Sequence, residues 1–242
     1  QLQGELDGGL ISLPGTLDAR KDTAEASFQP KLDNVEIATI LNAFNYSLNL
    51  TGKLSLAGDF SGQRIDADDF RRSWQGQAHL QMSDTRTEGL NFQQLVQQAV
   101  ERSTNVQAQE NYDNATRLDS MSSDLLLDKG EVTLKSLQGQ SELMALTGQG
   151  SLNLLKEECD MRFNVRVLGG WKGEGKLIER LKQTAIPLRI YGKWQALSYS
   201  LQVDQILRKQ LQDEAKQRLN DWVERNKNSQ DGKDVKKLLD KL

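Results

Sequence analysis

A glycine-rich segment contains the residues whose types and spacing come nearest to a known chemical motif. Residues 170–176 read Gly-Trp-Lys-Gly-Glu-Gly-Lys, follow a strand pattern and precede a helical pattern, as in loops that bind nucleotide phosphates. The next residue is Leu177, where magnesium binding requires a Ser or Thr hydroxyl. The preceding strand alternates in polarity, whereas a nucleotide-binding strand is buried on both faces. We therefore predict a flexible glycine-rich loop and no nucleotide site.

His79 and Cys159 are the other candidates for catalysis. His79 lies on the polar side of a strand pattern, and no Ser and Asp can be placed with it as a catalytic triad. Cys159 lies between Glu158 and Asp160, whose charges disfavour the thiolate that a nucleophile needs. The sequence therefore predicts an exposed histidine, an unreactive thiol and no catalytic residues.

Composition argues against metal, disulfide and nucleic-acid functions. With one Cys and one His, the chain cannot form an internal disulfide or a tetrahedral Cys/His zinc site. Asp66, Asp68 and Asp69 lack the Gly and the terminal Glu of a calcium loop, so we predict a solvated acidic loop. A net charge of -3 offers no basic surface to nucleic acid. We expect no metal, no cofactor and no nucleic-acid partner.

Alternating apolar and polar residues predict the strands that must carry any function. From Met121 to Val167, four short alternating runs are joined by turns too short for the crossovers of parallel strands. The longest run, residues 48–60, would extend about 43 Å at about 3.3 Å per residue, so we expect a bent strand. Such strands have one polar and one apolar face. The apolar rows, our candidate binding residues, comprise Leu48, Leu50, Leu54, Leu56, Phe60, Leu80, Met82, Leu125, Leu127, Val132, Leu134, Leu146, Leu152, Leu154, Met161, Phe163, Val165, Val167, Leu188 and Ile190.

An internal repeat predicts that strands lead into helices. Apolar residues at i, i+2, i+5 and i+6 recur from Val35, Leu90 and Leu201, a switch from strand to helical spacing. We predict short helices at residues 35–44 and 91–102. The third copy continues into the longest helix, with Asp204 as its N-cap. One apolar stripe is predicted along this helix and comprises Leu207, Leu211, Ala215, Leu219 and Trp222.

These patterns divide the chain into four regions. Residues 1–110 form the N-terminal part of a curved sheet with two strand-to-helix repeats, and residues 111–203 form an antiparallel meander that completes it. Residues 204–226 form an amphipathic helix, and residues 227–242 form a flexible tail that ends in a frayed helix. A polar, aperiodic segment, residues 102–117, is predicted to be a mobile connection.

Two architectures satisfy the alternation. In one, about nine strands form a β-sandwich or closed barrel whose apolar faces cover each other, which suits a binding or scaffold module. In the other, the strands form one curved sheet whose apolar concave face stays partly open and suits acyl chains. The long strand, the glycines in the apolar rows and the few helices favour the second. We predict a mainly β protein with a few helices: a long curved antiparallel sheet (open groove or half-barrel), short helices at strand ends and a long C-terminal helix.

Four motifs carry a resemblance to a known family. They are residues 114–121 (Asn-Ala-Thr-Arg-Leu-Asp-Ser-Met), 128–130 (Asp-Lys-Gly), 147–154 (Thr-Gly-Gln-Gly-Ser-Leu-Asn-Leu) and 186–194 (Ile-Pro-Leu-Arg-Ile-Tyr-Gly-Lys-Trp). In this order they are similar to the C-terminal region of the AsmA family. The resemblance extends from about Val35 to the long final helix and leaves the tail after Asn226 unexplained. The motifs mark strand starts and turns, and no catalytic residue carries over from the family.

The resemblance implies a location and a function. It implies a protein held in the inner membrane of a Gram-negative cell by an N-terminal helix outside this sequence, with its body in the periplasm. It also implies a role in outer-membrane biogenesis and a relation to bridge-like lipid-transfer proteins, whose repeated β-sheet forms a lipid-carrying groove.

We therefore expect a non-enzymatic periplasmic lipid-handling module, the C-terminal end of a hydrophobic groove that carries phospholipid between the inner and outer membranes. Its expected partners are phospholipid acyl chains and a protein of the periplasm or outer membrane. The alternative is a structural β-sandwich scaffold or protein-interaction domain that assists the assembly of outer-membrane protein or lipopolysaccharide.

Overall fold

A computed structural model describes residues 2–20, 24–64 and 66–241. Thirteen β-strands and six α-helices lie within these residues. The strands are β1 Leu2–Leu6, β2 Gly9–Leu13, β3 Gly15–Asp18, β4 Glu25–Phe28, β5 Lys31–Glu36, β6 Leu50–Gln63, β7 Gln75–Glu88, β8 Ala115–Asp128, β9 Glu131–Gln140, β10 Met144–Asn153, β11 Glu158–Val167, β12 Ile186–Lys193 and β13 Ala196–Leu201. The helices are α1 Ile37–Ala43, α2 Ala67–Ser73, α3 Phe92–Ser103, α4 Lys176–Gln183, α5 Asp204–Arg225 and α6 Gln230–Leu239.

All described strands belong to one antiparallel sheet. Its order is β1-β2-β5-β6-β7-β8-β9-β10-β11-β12-β13, and the β3–β4 hairpin joins the far end of β6 through β4. Within the described chain β1 and β13 form two separate edges, so the sheet is open. This confirms the predicted mainly β, antiparallel architecture, and the sandwich and closed barrel of the alternative are not formed.

Strand register brings the predicted apolar residues into continuous rows. One row crosses seven strands through directly opposed residues. Because neighbouring strands place opposed side chains on the same face, such a row is a continuous apolar band. Its members are Leu54, Met82, Met121, Gly139, Leu146, Val165 and Ile186.

β-Bulges curve the sheet at several positions. The register shifts between Thr51 and Lys53 in β6, around Gly52 with a φ of 135°. Further shifts occur between Ser122 and Asp124 in β8 and at Gly148 in β10. A bulge bends its strand and increases the local twist. At the first shift the extra residue lies in β7, opposite Gly52, and the long strand β6 is shifted toward the C-terminus of the predicted run.

Short helices follow strands where the repeat predicts them. Helices α1 and α3 match the predictions for residues 35–44 and 91–102. Helix α2 replaces the predicted acidic loop, which was a wrong prediction. The Asp66 carboxylate accepts a hydrogen bond from the Asp69 backbone N–H at 2.8 Å, and Asp68 and Asp69 lie in the first turn. Carboxylates stabilise a helix N-terminus, so these aspartates begin a helix.

The C-terminal helices differ from prediction in their packing. Helix α5 has the predicted extent, but Asp204 lies in its first turn and Val203 is the N-cap residue. Of the predicted stripe only Leu207 is buried, and Leu211, Leu219 and Trp222 are 36–39% exposed, so the stripe does not pack on the sheet. Helix α6 begins within the predicted flexible tail, where the Ser229 hydroxyl accepts a hydrogen bond from the Gly232 N–H at 3.0 Å. Leu242, the last residue of that tail, lies outside the described residues.

A buried glutamine holds the polar segment after α3 in place. Gln97 is fully buried; its Nε2 donates to the Gly169 carbonyl at 3.0 Å, and its Oε1 accepts from the Tyr112 hydroxyl at 2.9 Å. The Gln109 N–H donates to the Gly170 carbonyl at 3.0 Å. The predicted mobile connection and the glycine-rich loop are therefore tied to each other and to α3.

Candidate functional site: an apolar trough

Three apolar clusters lie on the apolar face of the sheet. The largest is covered by α3, α4 and α5, through residues such as Val100, Leu181 and Leu207. A second cluster is covered by α2 and the adjoining Trp74, and the third by α1 through Ile37. We name them the α3–α5 cluster, the α2 cluster and the α1 cluster. The helices therefore cover the apolar face in separate patches.

Nine of the twenty predicted binding residues are only partly buried, and they lie between these patches. Leu56 and Leu125 pack against both the α1 and α2 clusters, and Leu134 packs against all three clusters. These shared contacts link partly buried apolar side chains of neighbouring strands. We name the surface of these nine residues the trough; it comprises Leu48, Leu50, Leu56, Met82, Leu125, Leu134, Leu152, Leu154 and Phe163.

The other eleven predicted residues are buried under protein in this conformation. Val165 is 0% exposed and Leu188 is 1% exposed, both beneath the helices of the α3–α5 cluster. An acyl chain could reach them only after the helices move. The buried set comprises Leu54, Phe60, Leu80, Leu127, Val132, Leu146, Met161, Val165, Val167, Leu188 and Ile190.

Several inward residues were missed as candidates, among them Met121 and Cys159. Met121 is opposite Met82 in register and is partly buried against the α3–α5 cluster. Cys159 is opposite Leu152 and packs against the same cluster. Burial, and secondarily the charge of Asp160, raises the pKa of the Cys159 thiol, which agrees with the predicted unreactive thiol. The parity of their strands with Leu125 and Met161 was the signal that could have identified both.

Cross-strand ion pairs occupy the opposite, polar face. Arg189 donates two hydrogen bonds of 2.8 Å to the carboxylate of Asp160, and these bonds hold the pKa of Asp160 below its usual value. His79 contacts Asp124 through Nδ1 at 2.9 Å, and its side chain is exposed as predicted. This face is therefore hydrated and charged.

A sizeable concavity lies on the polar face. It has a volume of about 740 Å³ and extends over β9 to β13. Its lining includes Gln149, Arg162, Asn164 and Arg189. A twisted sheet is saddle-shaped, so each face is concave along one direction. The polar lining suits water and not hydrocarbon, which leaves the trough as the candidate site for an apolar ligand.

No three His, Cys, Asp or Glu side chains of the described residues are grouped closely enough to hold a metal ion. No helix among residues 2–20, 24–64 and 66–241 combines the length and apolar content needed to cross a bilayer.

Comparisons with known proteins give one family and one relative. A model described as "AsmA family" matches residues 1–137, more than half of the chain. Protein AsmA of Escherichia coli (strain K12) is 65% identical over 243 residues, which covers 100% of this chain and 39% of that relative. The chain therefore spans about two fifths of the relative's length. No solved structure matches.

Proposed function

Because the chain belongs to the AsmA family, we propose that it is a non-enzymatic, lipid-handling part of a cell-envelope protein. The proposed ligand is the acyl portion of a phospholipid, held in the trough while the polar face of the sheet contacts water. The proposed setting is the periplasm, in a longer protein anchored in the inner membrane, and the proposed role is phospholipid transfer in outer-membrane biogenesis.

One observation carries this proposal: partly buried apolar side chains on the strands from β6 to β11 lie between three buried clusters, and Leu134 packs against all three. Single exposed apolar residues are common on protein surfaces. A larger group of neighbouring apolar side chains that water can reach marks a binding surface. Each buried methylene of a ligand contributes about 0.8 kcal/mol, so a surface of this kind favours long hydrocarbon chains. Leu134 touches all three clusters and is the central residue of the trough.

The test compares charge on the two faces of one strand. Leu134→Asp places a carboxylate in the trough, whereas Thr133→Asp places the same group on the polar face of β9. We expect both variants to fold and only Leu134→Asp to lose phospholipid. Lipid would be extracted from each purified protein and quantified by mass spectrometry. Equal lipid in both folded variants, or none in the unmodified chain, would contradict the proposal.

A second function is supported by a different observation. Eleven of the predicted residues are sealed by the chain's own helices, and the exposed stripe Leu211, Leu219 and Trp222 of α5 offers a surface for another protein. These features suit a scaffold or interaction domain that assists assembly of the outer membrane. The same lipid measurement separates the two, since a scaffold carries no lipid and Leu134→Asp leaves its assembly role intact.

A further inference from the structure

The connection between α1 and β6 makes contacts that cross the trough. We name residues 44–49 the strap. Tyr46, at its centre, is 8% exposed, and its ring meets the edge of the Trp194 ring with centroids 5.3 Å apart. Its hydroxyl donates to the Leu154 carbonyl at 3.4 Å. Leu154 follows β10 and Trp194 follows β12, so the strap reaches the far side of the sheet.

These contacts require the strap to span the apolar face. Strand β6, which begins at Leu50, is four strands from β10 and six from β12. At about 4.8 Å per strand, the corresponding paths along the sheet are about 19 and 29 Å. Direct contact over such a separation means that α1 and the strap reach across the apolar face toward β10 and β12. Leu154 lines the trough, so the crossing lies at the trough itself.

The strap is held by few interactions. Besides the Tyr46 contacts, Arg71 of α2 donates through Nη2 to the Phe44 carbonyl, and its guanidinium lies 4.6 Å from the centroid of the Tyr46 ring. The Phe44 and Phe70 rings are 5.1 Å apart. The Tyr46–Leu154 hydrogen bond is long for an O–H donor, and no residue of the strap belongs to a strand.

Closure of the strap also leaves two donors unsatisfied. Arg71 Nε and Trp194 Nε1 are buried and have no hydrogen-bond acceptor among the residues that the structure describes, and both side chains flank the Tyr46 ring. An unpaired buried N–H disfavours the state that buries it, because water would satisfy it in the open state. The two unsatisfied N–H groups therefore destabilise the closed strap at its contacts with Arg71 and Trp194.

We propose that the strap is a gate over the trough, opening between Tyr46 and the Leu154–Trp194 side to admit a phospholipid acyl chain from the side. The identity of the cargo rests on the proposed function; the opening itself does not. Opening hydrates both unsatisfied donors, and closing shields the bound chain from water.

Hydrogen exchange of the strap amides tests the opening without any lipid. In the proposed opening the strap also peels from the end of α1, which breaks the 2.9 Å hydrogen bond from the Tyr46 N–H to the Leu41 carbonyl, so exchange of this amide reports opening. Trp194→Phe keeps an aromatic ring against Tyr46 and removes one unsatisfied donor, so we expect strap exchange to slow about fivefold or more. Trp171→Phe is the matched control, because the Trp171 Nε1 already donates to the Val167 carbonyl at 3.2 Å. Tyr46→Ala should accelerate strap exchange at least tenfold while strand amides keep their protection.

Two results would overturn the gate. One is strap exchange in Trp194→Phe at or above the unmodified rate. The other is strap protection equal to that of the central strands, which would show that the strap opens only on global unfolding.

Lipid uptake then tests what the gate admits. Vesicles of phosphatidylethanolamine and phosphatidylglycerol with a fluorescent phospholipid would be mixed with the unmodified chain, Trp194→Phe and Trp171→Phe. We expect uptake by Trp194→Phe to slow by the factor seen in exchange. Equal uptake rates despite altered exchange would refute the gate as the entry route. No uptake by any protein would refute the proposed function, while the exchange result would still decide whether the strap opens.

Discussion

Individual residues of the apolar rows differ mainly in what covers them. Val165 and Leu134 lie on the same face, yet Val165 is fully buried and Leu134 is partly exposed. Period-two alternation correctly assigned both side chains to the apolar face, because parity depends only on the strand itself. It could not separate core from trough, because coverage depends on helices that are remote in sequence.

Charge at Val165 should therefore destabilise the fold. Val165→Asp buries a carboxylate without a partner, and we expect the free energy of unfolding to fall by several kcal/mol. The neighbouring Arg166 is exposed on the polar face, so Arg166→Gln should change stability by no more than about 0.5 kcal/mol. Urea unfolding of both variants checks the difference. A Val165→Asp protein of normal stability would show that this site is open to water.

The Asp160–Arg189 pair makes stability depend weakly on pH. The pair holds the pKa of Asp160 below its usual value, so its contribution is present above that value and is lost as pH falls through the lowered pKa. Both side chains are 42% exposed, and solvent screening keeps the contribution small. We expect Asp160→Asn to lower the melting temperature slightly at pH 7 and not at pH 2. A difference that persists at pH 2 would assign the effect to packing.

At the scale of elements, strand-to-helix spacing predicted α1 and α3, whereas the packing of other helices was misjudged. The three aspartates at the start of α2 suggested a solvated acidic loop. The same carboxylates can instead cap a helix and stabilise its first turn, as they do here. The stripe of α5 has helical spacing, but its exposed leucines show that spacing alone supplies no partner. Helix existence is a local property of the sequence, and helix packing is not.

Gln97 determines the order of the segment between α3 and β8. Gln97→Ala removes the hydrogen bonds to the Tyr112 hydroxyl and the Gly169 carbonyl, each worth about 1 kcal/mol, and the Gly169 carbonyl keeps a 3.5 Å contact with Gln93 Nε2. We expect lower stability and faster proteolysis within residues 104–114. Tyr112→Phe removes one hydrogen bond of the same network and should cost about 1 kcal/mol. Unchanged proteolysis in Gln97→Ala would show that other contacts order this segment.

At the scale of the whole molecule, the sequence predicted one long curved antiparallel sheet that stays open, and the structure confirms this architecture. Turn lengths and alternation dictate which strands are neighbours. Whether a sheet closes depends on accumulated twist and bulges, and the bulge opposite Gly52 was not recognisable as a register shift from its own residues. The sequence likewise could not predict that the strap crosses the trough, because Tyr46 and Trp194 are remote in sequence and meet only in the folded chain.

Strand β13 is an edge strand without protective charge. Its sequence, Ala-Leu-Ser-Tyr-Ser-Leu, contains no charged residue and no proline, and Tyr199 is 47% exposed. Such an edge can pair with another chain. We expect Ser198→Lys to reduce self-association at high protein concentration, measured by sedimentation velocity. Gln77→Lys adds the same charge on the central strand β7 and should leave association unchanged. An equal effect of both variants would indicate general charge repulsion.

The separate edges at β1 and β13 also bear on how such a protein changes in evolution. A closed barrel must gain or lose strands together with its tilt and stagger, because closure couples them. This sheet has no such constraint. A hairpin duplicated beside β1 would lengthen the hydrocarbon-lined surface by two strands and leave every existing strand pairing intact. Gene duplication can therefore change the length of this apolar surface.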